Sequence, residues 1–313
     1  MKLGLGESYE KVDVLPVKMR GWLDLTKPAS SIGVSGAFFL ASLFYFYYIG
    51  ESGLIGDKFT SILYAVLTVG LAHGASQAMN MAEDADIDRL TPHKQDRPIP
   101  AGIVTEDEAR TLAWFLIMFA LARAYLVNNQ FGLVMTITII FGVFYNLSPI
   151  RAKERIISIP WQAVSRGLFM FPVVWAAYGD VFSLTPWVLG VFMFFYVLGF
   201  QNTADIIDRK VDAEHDISTF VVEFGVPQTN FIASGSTLLM IATIILAVQY
   251  SLLAPMFLSM LLIIPFCGVM LYHMIKYPYK LDERTGNHPA WLWYYAGMML
   301  CTVIPLLAAV VKQ

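Results

Sequence analysis

ARTLAWFLIMFALARAYLVNNQFGLVMTITIIFGVFYNLS, residues 109–148, is the stretch whose reading decides the fold class. Two apolar runs, 109–127 and 131–148, are separated only by Asn128, Asn129 and Gln130. Each run is close to the ~20 residues an α-helix needs to cross the hydrocarbon of a bilayer. The polar triplet reads as a tight turn, so the stretch is a helical hairpin rather than one long helix. The same reading carried outward gives further spans near 29–50, 59–82, 160–178, 184–204, 227–249, 252–276 and 289–311. The predicted fold is therefore all-α, an integral membrane bundle of about nine transmembrane helices.

Composition agrees. Of 313 residues 57% are hydrophobic and 14% charged, and the mean hydropathy of +0.60 is far above that of an ordinary soluble domain. A net charge of −3 supplies no basic field, which excludes nucleic acid as a partner. Cys267 and Cys301 both lie inside apolar runs, at a spacing that fits neither a disulfide framework nor a zinc site, and read as packing residues. The residues before the first span carry no apolar stretch followed by a small-residue cleavage site, so that span itself is expected to direct insertion. The expected organisation is a cytoplasmic N-terminal segment, 1–28, and a single transmembrane domain, 29–313.

Charge sets the expected orientation. With the N-terminus cytoplasmic, that side carries Lys2, Lys11, Lys18, Arg20 and Lys27, then Arg89, Lys94, Arg97 and Arg110, then Arg151, Lys153 and Arg155, then Arg209 and Lys210, and finally Lys276, Lys280 and Arg284. The other side has Lys58 and Lys312. This is a positive-inside bias, and it puts the loops after spans two, four, six and eight in the cytoplasm. The acidic clusters lie in those same loops.

At the end of span two stands NMAEDADIDRLTPHKQDRPIPAG, with Asn80, Asp84 and Asp88 at i, i+4 and i+8. Each is rotated roughly 40° from the last on a 3.6-residue helix, so the three form one stripe. At the end of span six, FQNTADIIDRKVDAEHDIST places Asp205, Asp208 and Asp212 at i, i+3 and i+7, a second stripe. Stacked carboxylates at a bilayer edge repel one another and are costly without cations. Their oxygens are hard ligands with no His or Cys at ligand spacing, which favours Mg²⁺. Because Mg²⁺ typically combines one or two carboxylates with phosphate oxygens, a phosphorylated substrate is implied. One acidic run alone would read as a solvated helix end. Two matched runs on one side of the membrane, each with Arg and Lys close behind, point to a metal and a polyanion.

These residues resemble the UbiA superfamily of intramembrane prenyltransferases. The first motif of that family, NxxxDxxxD followed by an RP pair, corresponds to Asn80, Asp84 and Asp88 with Arg97 and Pro98, and the second, DxxDxxxD, to Asp205, Asp208 and Asp212. YNLSPIRAK is similar to the family's Tyr-containing segment leading to a Lys, here Tyr145 and Lys153. The resemblance implies a central cavity open to the cytoplasmic side and laterally to lipid, with the two stripes facing across it. It further implies two Mg²⁺ ions held by Asn80, Asp84, Asp88, Asp205, Asp208 and Asp212, and an isoprenyl diphosphate donor contacted by Asn80, Arg97, Tyr145 and Lys153. Asp84, Asp208 and Lys153 are the residues expected to be needed for catalysis. The chain departs from the family where Asp216 replaces a Gly and where Thr219 is followed by Phe220 and Val221, so Asp216 is given no metal role.

The acceptor is expected to be hydrophobic or aromatic, a quinone precursor first, with a glycerol phosphate ether or a tetrapyrrole as alternatives. A transporter is the rival from another class, but it would place ionisable residues along the middles of spans. Here Arg123 and Arg166 are nearly alone there. His73 reads as a packed neutral histidine, and Trp291, Trp293, Tyr294 and Tyr295 as an interfacial aromatic belt.

Overall fold

The structure, a computed structural model, describes residues 15–91, 94–282 and 287–312. Lys2, Lys11, His93, Arg284 and the first half of the N-terminal segment 1–28 lie outside the described residues. Eight helices among those described are long and apolar enough to cross a membrane. They are α2 (Pro28–Tyr48), α3 (Ile55–Glu83), α5 (Glu106–Val127), α6 (Asn129–Asn146), α9 (Leu184–Phe200), α11 (Phe220–Gln249), α12 (Ile264–Lys276, extended by a 3₁₀ stretch Pro255–Ile263) and α13 (Ala290–Lys312). Short helices α1 (Val17–Leu25), α4 (Ala85–Leu90) and α10 (Asp205–Glu214) sit at one end of the bundle.

The span expected at 160–178 is present but broken. It consists of α7 (Ser158–Gln162), a π turn (Ala163–Leu168) and α8 (Met170–Tyr178). Phe169 N–H reaches back five residues to the Val164 carbonyl at 3.2 Å. Pro172 has no N–H to give the Leu168 carbonyl, so the α-helical ladder cannot run unbroken through this point.

The hairpin of residues 109–148 forms as its sequence requires. Asn128 accepts a hydrogen bond from Phe131 N–H at 2.8 Å and so caps α6. Its amide donates to the carbonyls of Ala176 and Ala177 at 3.0 and 3.1 Å, capping the end of α8 as well. Gln130 accepts from Val181 N–H. Asn128 and Gln130 therefore supply partners for helix ends that hydrocarbon would leave unsatisfied.

Packing follows chain order. α2 packs on α3, α3 on α5, α5 on α6, α6 on α8, α8 on α9, α9 on α11, α11 on α12, α12 on α13, and α13 returns to α2. Small residues permit the close approach, as between α3 and α5, where Ala75, Ala78, Ala82, Ala109 and Ala113 are buried. One end of the ring is filled by aromatic rings, among them Phe44, Tyr45, Phe171, Trp175 and Phe257. Toward the other end the ring encloses a cavity of about 220 Å³.

Candidate functional site

The first acidic stripe is built where α3 gives way to α4. Asp84 caps α3, yet Asp84 N–H still bonds to the Asn80 carbonyl (3.0 Å) and Asp88 N–H to the Asp84 carbonyl (2.8 Å), so helical spacing survives the break. Asn80 Nδ2 donates to Asp84 Oδ2 at 2.8 Å and to Asn146 Oδ1 at 3.2 Å, which fixes the Asp84 carboxylate. Lys153, buried in the 3₁₀ turn Ala152–Glu154, forms an ion pair with the other oxygen of Asp84. Asp88 is 1% exposed and pairs with Arg97. Burial pushes the Asp88 carboxyl upward, and the Arg97 and Lys94 charges work against that shift.

The second stripe lies on α10, separated from α9 by the 3₁₀ turn Gln201–Thr203. Lys94 Nζ is 2.9 Å from Asp208 Oδ2, and its charge also acts on Asp88, Asp205 and Asp212, so this lysine stands between the two clusters. Burial, reinforced by Asp208, raises Asp212 to about 7, and burial with Asp212 and Asp208 holds Asp205 well above the carboxylate range. Asp205 Oδ2, Gln201 Oε1 and Asn202 Oδ1 are buried acceptors without a hydrogen-bond partner. The loop after α10 docks on the Lys153 turn through Ser218 N–H to the Glu154 carbonyl at 3.0 Å. Asp216, at φ 58°, makes the bend there.

Two cations that the sequence offered only as topology signals stand close to the carboxylates. One is Lys94. The other is Lys27, held in the left-handed region (φ 44°, ψ 70°) at the start of α2. Burial and the nearby Arg97 push its ammonium down to about 7, against the pull of Asp84 and Asp88. Four cations, Lys27, Lys94, Arg97 and Lys153, thus surround the carboxylates. A non-glycine residue held at positive φ is a local outlier of the kind that collects at functional sites, but nothing in the sequence marks Lys27 as one.

The site borders the cavity. Tyr145 lines the cavity and its hydroxyl accepts from Gln162 Nε2 at 3.1 Å, while the charges of Asp205 and Asp84 act on it from the mouth. The remaining wall is mostly apolar, including Val34, Phe38, Val69, Met79 and Met298. His73 faces this cavity, with Ser30 Oγ 3.0 Å and Gln77 Nε2 3.3 Å from its Nε2. Tyr294 and Tyr295 line it too; for Tyr294, 1% exposed with its ring clamped in the bundle, this corrects the assignment to an interfacial belt, whereas Tyr295 stays 37% exposed. Of the predicted site residues Tyr145 alone is in the cavity wall, and it links the cavity to the carboxylates outside it; a larger recess of about 670 Å³ around Tyr45, Glu51, Lys58 and Tyr64 contains none of them.

The donor set suits a hard cation: carboxylate and amide oxygens only, several of them unpartnered. Among the described residues no three His, Cys, Asp or Glu side chains converge closely enough to hold a metal by themselves. Such an open arrangement fits an ion that draws its other ligands from phosphate and water.

Residues 36–295 match the family model described as the UbiA prenyltransferase family. The chain belongs to that family. Among relatives of this UbiA-family protein, a protoheme IX farnesyltransferase from Hyphomonas neptunium is 31% identical over 56% of the chain, and the match spans only about half (55%) of that relative. One of the same name from Korarchaeum cryptofilum is 27% identical over 85% of the chain and 86% of its own length. A digeranylgeranylglyceryl phosphate synthase from Methanoregula boonei is 28% identical over 72% of the chain and 75% of its own. A UbiA homologue from Archaeoglobus fulgidus, solved bound to DMAPP and Mg²⁺, superposes with a TM-score of 0.67 at 16% identity, over 93% of this chain and 99% of that one. That likeness establishes the membrane bundle. The relatives' names concern protoheme and a glyceryl phosphate, so the expected quinone-type acceptor gains no support from them.

Proposed function

We propose that this UbiA-family protein transfers a prenyl group from an isoprenyl diphosphate to a tetrapyrrole acceptor, with Mg²⁺ at the two aspartate clusters. The observation that carries the reaction is the juxtaposition of two carboxylate stripes and four cations at the mouth of an apolar cavity. The tetrapyrrole rests on the Korarchaeum relative, matched over most of both chains. The Methanoregula relative favours a glycerol phosphate ether as the second reading.

Asn80, Asp84 and Asp88 would hold one ion, and Asp205, Asp208 and Asp212 the other. Bound there, Mg²⁺ supplies Lewis-acid neutralisation of the leaving diphosphate. Lys27, Lys94, Arg97 and Lys153 bind and orient the diphosphate. Arg97 offers a planar fork and the lysines point charges, and Lys94, Arg97 and Lys153 would each exchange the carboxylate they now pair with for a phosphate oxygen. As the allylic C–O bond breaks, its electron pair leaves with the diphosphate, and these fixed cations meet charge that grows in the transition state. Asn80 keeps Asp84 in place, and Tyr145 stands where the polar mouth meets the apolar wall. The cavity receives the prenyl chain and excludes water from the allylic carbon. The positive-inside bias supports a cytoplasmic position for this mouth.

The test is incubation of the purified full chain in lipid with radiolabelled farnesyl or geranylgeranyl diphosphate, with Mg²⁺ or EDTA. Protoheme, geranylgeranylglyceryl phosphate and 4-hydroxybenzoate serve as acceptors. Product should require Mg²⁺, and Asp84→Ala or Asp208→Ala should lower the rate by on the order of 10²–10³-fold, the usual effect of removing a group that stabilises transition-state charge. The acceptor that is prenylated decides between the two readings. A folded protein that neither binds nor consumes a donor of any length would end the proposal.

A further inference from the structure

The two cations within the spans, Arg123 near the end of α5 and Arg166 in the π turn, are treated very differently by the fold. Arg123 is fully engaged: Nε donates to Thr68 Oγ1 at 3.2 Å, Nη2 to the Tyr64 carbonyl at 3.1 Å, and the guanidinium lies 3.7 Å above the Tyr64 ring. Arg166 lines the cavity and has no hydrogen bond or ion pair to any described residue. A charge at membrane depth is costly, and such residues face cavities and find counter-ions. Here the fold supplies the cavity and withholds the counter-ion.

A second group in the same wall is also incomplete. The Tyr294 hydroxyl is buried without a hydrogen-bond partner. Its ring is stacked between Tyr196 (centroids 5.6 Å apart, planes at 10°) and Trp291 (5.5 Å, 24°), and the Tyr294 carbonyl accepts from Tyr196 Oη at 2.7 Å, so the hydroxyl cannot swing away to find one. Arg166, Tyr294, Tyr145 and His73 line the same cavity, and the Arg166 charge acts on the other three.

The position of Arg166 is itself fixed. It sits in the π turn, a device that re-aims a side chain and recurs at functional sites. That turn is locked against α9 backbone to backbone: a Cβ on Gly167 would come within 2.7 Å of the Met193 carbonyl oxygen, and one on Gly190 within 2.2 Å of the Leu168 oxygen. Arg166 lies one helical turn deeper than Gln162, whose amide holds Tyr145, so it is set below the mouth where the four diphosphate-binding cations stand.

We infer that Arg166 and the Tyr294 hydroxyl form an anion-binding subsite inside the cavity that seats the anionic oxygens of the acceptor, a carboxylate or a phosphate. The inference rests on the prenyl-transfer reading for the word acceptor, and on the cavity alone for the anion. A guanidinium fork binds either anion through two parallel N–H···O bonds, and the tyrosine supplies a further donor. Seating the acceptor by its anionic end orients the remainder toward the allylic carbon without competing for the cations at the mouth.

The experiment measures binding to the full chain in lipid nanodiscs of two matched pairs: protoheme against its dimethyl ester, and geranylgeranylglyceryl phosphate against the uncharged geranylgeranylglycerol. Binding of labelled geranyl diphosphate with Mg²⁺ is read in parallel. The wild type should prefer one anionic member by on the order of tenfold to a hundredfold, as hydrogen bonds to a charged group predict, and the pair showing the preference distinguishes carboxylate from phosphate. Arg166→Gln should abolish that preference and raise the acceptor KM while donor binding persists. Arg166→Lys, which keeps the charge and loses the fork, and Tyr294→Phe should each retain part of it, and they stand in should Arg166→Gln fail to fold. No preference in the wild type for either pair, or a preference that survives in Arg166→Gln, would overturn the inference. Anion binding that depends on Arg166 in a protein that transfers no prenyl group would instead overturn the proposed reaction and leave the subsite standing.

Discussion

His288 has no exposed surface, and both its ring nitrogens are engaged. Nε2 lies 2.9 Å from the Tyr277 carbonyl oxygen, so it carries the proton, and Nδ1 accepts from Ala290 N–H at 3.1 Å. A second proton on Nδ1 would face that N–H. Burial also lowers the pKa of His288 below the usual histidine value. With the folded value depressed, the unfolded chain binds more protons, so stability is full above the unfolded pKa of about 6.5 and declines as pH falls from there toward the folded value. Asp205 and Asp212, with raised pKa values, act in the opposite sense, so the His288 contribution is read by difference: on going from pH 7.5 to pH 5.5 the wild type should lose more Tm, or gain less, than His288→Phe. An unchanged difference would assign the acid sensitivity to another group. The same scale shows the limit of motif reading: Asp84, Asp88 and Asp208 declared themselves by spacing, whereas only the fold set Lys27 and Lys94 against those carboxylates.

Among the elements, the broken span 158–178 carries the most information. Its composition reads as one apolar helix, and the sequence gives no period that would reveal a π turn between Ala163 and Leu168. Pro172 interrupts the ladder but does not by itself dictate a π turn, and contact with α9, where Gly167 and Gly190 bring two backbones together, holds the turn in place. Gly167→Ala would drive a Cβ to 2.7 Å from the Met193 oxygen and 2.8 Å from the Phe194 Cα, atoms of a backbone that cannot step aside. It should destabilise the protein by roughly 1–3 kcal/mol, the typical effect of overpacking. Gly235→Ala, with nothing within 4 Å of the new methyl, is the control and should be neutral or stabilising by up to ~1 kcal/mol. Unfolding in mixed micelles compares the two. Equal stability would mean that α9 yields at this point and that the turn is not locked. The hairpin of α5 and α6 shows the opposite case, since Asn128 and Gln130 announced both the turn and its caps.

For the whole molecule, the closed ring from α2 round to α13 makes a cavity from helices that are individually only apolar. Which side its acidic mouth faces rests on the distribution of Lys and Arg. Single cysteines placed at Asp86, which is exposed beside the first stripe, and at Lys58, at the other end of α3, test it. In sealed cells a membrane-impermeant maleimide should label Lys58→Cys and spare Asp86→Cys until the membrane is opened. The reverse pattern would invert the topology and put the diphosphate site outside.

The sequence by itself determined the membrane class, the α5–α6 hairpin, the two aspartate stripes and the family, because hydrophobic length and helical spacing are local properties that need no neighbour to be read. Only the tertiary structure decided that Lys27 and Lys94 stand against the carboxylates, that Tyr294 faces the cavity rather than the interface, and that one span breaks into a π turn presenting Arg166. Each of these depends on which helix lies opposite, a contact between residues distant in the chain that no local period encodes.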